Sequence, residues 1–130
     1  MTITTEPLAL LNEHQYISLT TFRKNGEPKS TPVWFTQKQN CVYVFTELES
    51  WKVKRIKNNP QVEVAPCKSN GTLIGAQKLT GTARIMAETE EGTAKKAFKS
   101  KYGLMNTLFI LLGTARRKKR GYLEISLGNG

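Results

Sequence analysis

The run Phe45-Thr46-Glu47-Leu48-Glu49-Ser50-Trp51-Lys52 concentrates the groups that could do chemistry in this chain. Its apolar, β-rich start reads as a strand end, and its finish reads as the first turn of a helix. A helix start offers unpaired backbone N–H groups and the positive end of the helix dipole, which together attract anions. Thr46 and Ser50 add hydroxyls, and Lys52 adds a full positive charge. A phosphate is the group this pattern suits. A charge-assisted hydrogen bond contributes roughly 1.5–3 kcal/mol, against roughly 0.3–1 kcal/mol for the dipole alone, so Lys52 is expected to dominate. The alternative is structural: Ser50 caps the helix and Lys52 is solvated.

Other chemistries are short of parts. All ten acids are Glu, Asp is absent, and His14 is the single histidine. One chain therefore cannot assemble a Ser-His-Asp triad or a His-rich metal site. Cys41 and Cys67 lack a CxxC spacing, and each falls in a stretch that reads as strand, so both are expected as reduced, partly buried thiols. Tyr43, Tyr102 and Tyr122 could donate a proton, but residue type alone singles out none. No catalytic residue is assigned.

The elements that must position the Phe45–Lys52 run follow from periodicity. Tyr16–Phe22 reads as a strand that ends at Arg23-Lys24-Asn25-Gly26, where Asn-Gly signals a tight hairpin. The second strand, about Lys29–Gln37, carries Pro32, which cannot donate to a ladder and marks an edge or a bulge. Trp34 and Phe35 should face opposite sides of it. Cys41–Thr46 completes a meander. Ser50 opens a helix over Trp51–Asn58, with Val53 and Ile56 turned inward and Asn59-Pro60 as the stop. Gln61–Lys68 and a long Thr72–Met86, bent at Gly75 and Gly81, read as strands. Thr89 starts a helix through Lys101, followed by Gly103 and a second apolar helix, Leu104–Leu112. Gly121–Leu127 alternates strictly and is the sixth strand. Six mostly antiparallel strands in so short a chain argue for a small β-barrel, because closure removes exposed edges.

The chain has 130 residues, enough for one domain over 1–130 with one ordinary core. Its formal net charge is +10, from 20 Lys and Arg against 10 acids. The excess is concentrated in Lys52, Lys54, Arg55 and Lys57, and in Arg116-Arg117-Lys118-Lys119-Arg120. An anionic partner is expected. The start of the chain shows no basic-then-apolar leader pattern, Glu6–Asn12 reads as a short helix, and Leu104–Leu112 is about half of the ~20 residues a membrane span needs. A cytoplasmic protein without membrane association is the expectation. A nucleic-acid-binding barrel is the rival from another class, but the aromatics are not interleaved with the basic run and no helix-turn-helix, zinc or RNA-recognition motif is present.

From Tyr16 to about Met86 the sequence resembles the pyridoxamine 5′-phosphate oxidase-like FMN-binding split barrels. The blocks that carry the likeness are Gly26-Glu27-Pro28, Thr31-Pro32-Val33-Trp34-Phe35-Thr36, Phe45-Thr46, Leu48-Glu49-Ser50-Trp51-Lys52 and Ile56-Lys57-Asn58-Asn59-Pro60-Gln61-Val62. The resemblance implies a six-stranded antiparallel split β-barrel, a homodimer, and a flavin-type cofactor in the groove between subunits. It implies that Thr31, Pro32, Val33, Trp34 and Thr36 line the ring, that Phe45 and Thr46 stand near the phosphate, and that Ser50, Trp51 and Lys52 match the Ser-Arg-Lys phosphate loop. Three positions depart: the family pattern has Arg at Thr31, Lys at Thr36 and Arg at Trp51, losses that Lys54 and Arg55 could offset. The C-terminal Trp and Arg signature of true pyridoxamine phosphate oxidases is missing, which argues against that particular activity.

The last third, with Lys101-Tyr102-Gly103-Leu104, Arg116-Arg117 and Gly121-Tyr122-Leu123-Glu124-Ile125, is similar to a probable deazaflavin-dependent subgroup that uses coenzyme F-420. The polyglutamate tail of that coenzyme would give the basic excess a role. The cofactor implied is therefore FMN or F-420, and the chemistry implied is hydride transfer to a small unsaturated or carbonyl substrate. A carrier of a flavin- or tetrapyrrole-sized ligand without turnover is the other reading. Trp34 is expected in the dimer seam.

Overall fold

Alternating apolar residues place one face of each strand inside a closed barrel. The computed structural model describes residues 14–75, 78–114 and 119–127, with the backbone alone for 104–114. The strands are β1 (Tyr16–Phe22), β2 (Pro28–Lys38), β3 (Cys41–Glu47), β4 (Gln61–Cys67), β5 (Leu79–Ile85) and β6 (Arg120–Leu127). They close in the order β1-β2-β3-β6-β5-β4, and every neighbouring pair is antiparallel. The barrel expected from the strand count is what forms. Inside it, Ile17, Leu19, Val33, Phe35, Val42, Val44, Val62, Val64, Leu123 and Ile125 make one buried cluster.

Two α-helices occur among the described residues. The first, α1 (Trp51–Asn58), adds Val53 and Ile56 to the barrel cluster, with exposures of 0% and 3%, as its i, i+3 spacing requires. The second, α2 (Glu91–Thr114), follows a 3₁₀ turn at Glu88–Glu90 and breaks at Gly103, where φ is +85°. Its inner face lies outside the barrel. There Ala94 and Phe98 pack on Tyr43, Met86 and Tyr122, with Trp34, Phe45 and Tyr102 around them. Trp34 and Phe35 thus occupy opposite faces of β2, one under α2 and one in the barrel.

The end of β1 explains how α2 is held. Pairing of β2 with β1 stops at Trp34, which leaves the Phe35 carbonyl without a strand partner on that side. Side chains of α2 take it up: Lys101 Nζ donates to it at 3.0 Å and Tyr102 Oη at 2.6 Å. Lys101 Nζ also donates to His14 O at 2.7 Å, and Gln15 O, 2.9 Å from Tyr102 Oη, competes with Phe35 O for the single hydroxyl proton. Thr36 Oγ1 donates to Ala97 O at 3.1 Å. Buried carbonyls must be paired, and here the pairing fixes the helix.

Three local expectations change. The Arg23–Glu27 connection is a five-residue loop rather than a two-residue turn, since the last β1–β2 pair is Phe22 with Pro28. Asn25 Oδ1 accepts the Glu27 amide at 2.9 Å, and Gly26 takes φ +89°. The long strand expected over Thr72–Met86 is confined to Leu79–Ile85, because the chain first folds back through a Cys67–Leu73 bridge, and Gly75 sits at φ +76°. The helix expected to start at Thr89 begins as the 3₁₀ turn. Both cysteines are free thiols, with Cys67 buried and Cys41 half-buried. No helix among the described residues is long and apolar enough to cross a membrane. The Glu6–Asn12 helix and Arg116–Lys118 lie outside the described residues.

Gly81 marks a close approach rather than a bend. A Cβ there would come within 2.8 Å of Ile125 Cγ2 and of the Ser126 backbone oxygen. Gly81→Ala is expected to destabilise the barrel by roughly 1–3 kcal/mol. At Gly121 the nearest atoms, at 2.9 Å, belong to the movable Leu48 side chain, so Gly121→Ala should cost less; thermal melts of the two variants measure the difference. A second expectation concerns Lys101, whose ammonium burial pushes down to about 7. Unfolded, a lysine keeps its proton to about pH 10.4, so between pH 7 and that value the unfolded chain binds more protons and stability rises with pH. Denaturant titrations at pH 7 and pH 9 should therefore show the wild type gaining on Lys101→Met as pH rises.

Candidate functional site

The hairpin loop after β1 and the start of α1 face each other across a cleft of about 700 Å³. Six cations line it: Arg23, Lys24 and Lys29 from the hairpin, and Lys52, Lys54 and Arg55 from α1. No carboxylate is among the lining residues. Glu27, at the hairpin tip, pairs with Arg23 at 3.0 Å and approaches Lys29 at 3.9 Å, so part of the hairpin charge is compensated from behind. These pairs are exposed and weak.

The α1 side is built more firmly. Val53 and Ile56 are buried in the barrel mouth, and the 3.6-residue repeat then turns Lys52 and Arg55 toward the strands beside the cleft. Lys52 Nζ donates to Thr46 Oγ1 on β3 at 3.3 Å. Burial pulls its pKa below that of an ordinary lysine, which Glu47 opposes and Arg55 reinforces. Arg55 Nε donates to Thr21 Oγ1 on β1 at 2.7 Å, and Thr21 is fully buried. That bond leaves the guanidinium's outer nitrogens without a protein partner among the described residues, in the fork geometry that suits a phosphate.

Two hydroxyls in the cleft wall carry the most information. Thr31 Oγ1 and Ser50 Oγ are both buried and have no hydrogen-bond partner among the described residues. Ser50 does occupy the helix N-cap position, with φ −72° and ψ 162°, but its side chain makes no capping bond. The Oγ of a purely structural Ser50 would accept a hydrogen bond from a first-turn amide N–H. Leaving a buried hydroxyl unpaired costs about 1–3 kcal/mol, a cost that an anion accepting from both hydroxyls would remove. The residues present therefore fit a phosphate group.

Of the residues marked in the sequence, Thr31, Ser50, Trp51 and Lys52 meet in this cleft, and Thr46 stands directly behind Lys52. The others are elsewhere. Pro32 is exposed beside the cleft, and Val33 points into the barrel. Trp34 lies between Tyr16 and Tyr102, with ring centroids 4.9 and 5.1 Å away. Thr36 is buried against α2, and Phe45 packs on Tyr122 at 5.1 Å. Arg23, Lys24, Lys29, Ser30 and Asn58 also line the cleft, although the sequence reading gave them no role there. The signal was present in the cations flanking Asn25-Gly26, which a hairpin folds back against α1.

The tyrosines weighed as proton donors do not line this cleft. Burial raises Tyr43 and Tyr102, and pushes Tyr122 up to about 12, with Glu91 adding to the rise. Tyr102 is committed to the Phe35 carbonyl. No cluster of His, Cys, Asp or Glu that could hold a metal occurs among the described residues.

Comparison with solved structures shows the same barrel repeatedly. A heme storage protein from Vibrio cholerae, HutZ, is 17% identical at TM-score 0.69, covering 100% of this chain and 93% of that one. An FAD-binding protein from Mesorhizobium loti is 15% identical at TM-score 0.66, covering 97% and 88%. An F420 reductase is 16% identical at TM-score 0.58, covering 93% and 92%. At these identities the likeness is one of fold. No curated protein matches the sequence. The family model described as pyridoxamine 5′-phosphate oxidase matches residues 3–126, nearly the whole chain, and the protein with this barrel and basic cleft belongs to that family.

Proposed function

We propose that the chain binds a flavin-type cofactor, FMN or the deazaflavin F-420, by its phosphate in the cleft between the β1–β2 hairpin and α1, and works as an oxidoreductase. The observation that carries this reading is the pair of buried, unpartnered hydroxyls, Thr31 Oγ1 and Ser50 Oγ, in a cleft lined by six cations and no carboxylate. Bound there, the cofactor would supply hydride transfer to a small unsaturated or carbonyl substrate. The protein's contribution is then binding and orientation rather than acid–base chemistry, in keeping with the lack of a catalytic dyad.

Each residue has a distinct part. Arg55 presents two guanidinium nitrogens as a fork, and Thr21 fixes its angle. Lys52, held by Thr46, adds a charge whose desolvation is already partly met in the folded chain. Ser50 and Thr31 donate from opposite walls. The family pattern places an arginine where Trp51 stands; Arg55 is one helical turn later and returns a guanidinium to the same cleft, which offsets the departure. The cofactor ring would extend along the Pro28–Trp34 half of β2, where pairing with β3 has not begun. A homodimer whose second copy closes this groove, with Trp34 at the seam, completes the reading.

A haem-binding role, suggested by the name of one structural neighbour, fits the cleft less well. Haem iron takes an axial His, Cys, Met or Tyr, and none of these is among the residues lining the cleft.

Titrating the purified chain with FMN and with F-420, followed by absorbance and fluorescence, tests the proposal. Lys52→Ala should weaken binding by more than about tenfold, the size expected from losing one charge-assisted bond. Arg55→Ala should act in the same direction, while Lys38→Ala, on the opposite end of β2, should leave affinity unchanged. An unchanged dissociation constant in the Lys52 and Arg55 variants would remove the phosphate from this cleft.

A further inference from the structure

Trp51 is 72% exposed, and it is the single aromatic among the exposed large hydrophobic residues described. An indole open to water at the mouth of a basic cleft is an unusual use of the most apolar large side chain. It is not loose: Lys54 Nζ lies 4.5 Å from its ring centroid, covering one face by a cation–π contact. The other indole face has no ring contact among the described residues. Trp51, Lys54 and Asn58 share one side of α1 and all line the cleft.

The charge around the cleft falls into two sets on different elements. Lys52 and Arg55 belong to α1 and are anchored on strand threonines, whereas Arg23, Lys24 and Lys29 belong to the hairpin. A single phosphate held by the first set would leave Lys24, and the Arg23 and Lys29 that Glu27 partly compensates, for a second anionic group. A ligand with two linked phosphates can engage both sets, and the Trp51 indole lines the same cleft.

We infer that Trp51 is a stacking platform for a second planar ring of the ligand, so that the cleft prefers a flavin carried as a dinucleotide, with a diphosphate and an adenine, over a mononucleotide. This rests on the flavin-phosphate reading of the cleft above and departs from it in the form of the cofactor, taking FAD ahead of FMN or F-420. Trp51 contributes the ring face, Lys54 holds the indole from behind, and the hairpin cations meet the second phosphate. F-420 carries a peptide-like tail beyond its phosphate and gains nothing from an indole at this place.

The experiment compares FMN, FAD and ADP on the wild type and on Trp51→Ala and Trp51→Phe, reading dissociation constants and tryptophan fluorescence. FAD should bind at least about tenfold more tightly than FMN, the scale of one base–aromatic stack. ADP alone should quench the indole emission. Trp51→Ala should weaken FAD by about tenfold and FMN by less than about twofold, and Trp51→Phe should restore most of the loss. Equal affinity for FMN and FAD in the wild type overturns the inference while leaving the flavin reading in place. Binding of neither FMN nor FAD overturns the inference and leaves F-420 as the one cofactor of the reading above still to be titrated. If Trp51→Ala weakens FMN and FAD alike, or changes the subunit assembly with no preference for FAD, the indole serves the phosphate site or a second copy of the chain, and the inference fails.

Discussion

The burial of two side chains, Val53 and Ile56, in the mouth of the barrel sets the geometry of the cleft. Each is worth roughly 1.5–3 kcal/mol of hydrophobic stabilisation, and together they fix both the position and the rotation of an eight-residue helix that is too short to be stable by itself. Once that rotation is fixed, the remaining positions of the helix have no freedom. Lys52 and Arg55 must flank the inward pair, and both fall beside strands that offer threonine oxygens. The helix also brings its first turn against the hairpin that begins 28 residues earlier in sequence, at Arg23. Apolar packing thereby collects cations that would otherwise repel one another.

That repulsion is the counterweight. Six cations around one cleft raise the free energy of the unliganded fold, and the depressed pKa of Lys52 shows its direction, with burial and the neighbouring Arg55 both acting against the charge. The two unpartnered hydroxyls act in the same sense. Elsewhere the chain avoids this: Arg84, with comparable freedom, is spent on a bidentate pair with Glu90 and a further bond to Glu124. Charge is neutralised within the chain around Arg84, and only partly compensated, by Glu27, between α1 and the hairpin.

Most of the barrel was legible in the sequence, because period-two patterning and turn residues determine strands locally. β1 and α1 match their expected bounds at both ends, and β6 differs by one residue. The failures came where contacts between distant segments decide. Thr72–Met86 alternates well enough to read as one strand, yet only its second half forms ladders with β4 and β6, while Leu73 makes an isolated bridge to Cys67. Within the site, Ser50 and Lys52 were legible as a helix start, whereas Thr21 was not: a threonine in the middle of a strand carries no local mark of the arginine it will receive from a helix 34 positions later. The hairpin cations were visible as composition but not as lining, since only the tertiary fold turns that loop toward α1.

The distribution of the expected ring-lining residues constrains how a cofactor could lie. Thr31 to Thr36 covers about 17 Å of strand at ~3.4 Å per residue, and side chains alternate between the barrel interior and its outer face. Val33 and Phe35 are inside, so they could meet a ligand through backbone alone. Thr36 is beneath α2 with its hydroxyl already donated to Ala97. The accessible part of this strand is therefore its first half, where Pro32 removes one donor and the register with β3 has not yet begun. A barrel whose strands were paired along their whole length would offer no backbone there. The short reach of the β2–β3 ladder, from Phe35 to Lys38, leaves open a strip of β2 that begins beside the phosphate-type cleft and runs away from it. The placement of one proline and the late start of one strand pairing thus leave, next to the cleft, a stretch of β2 unpaired with β3.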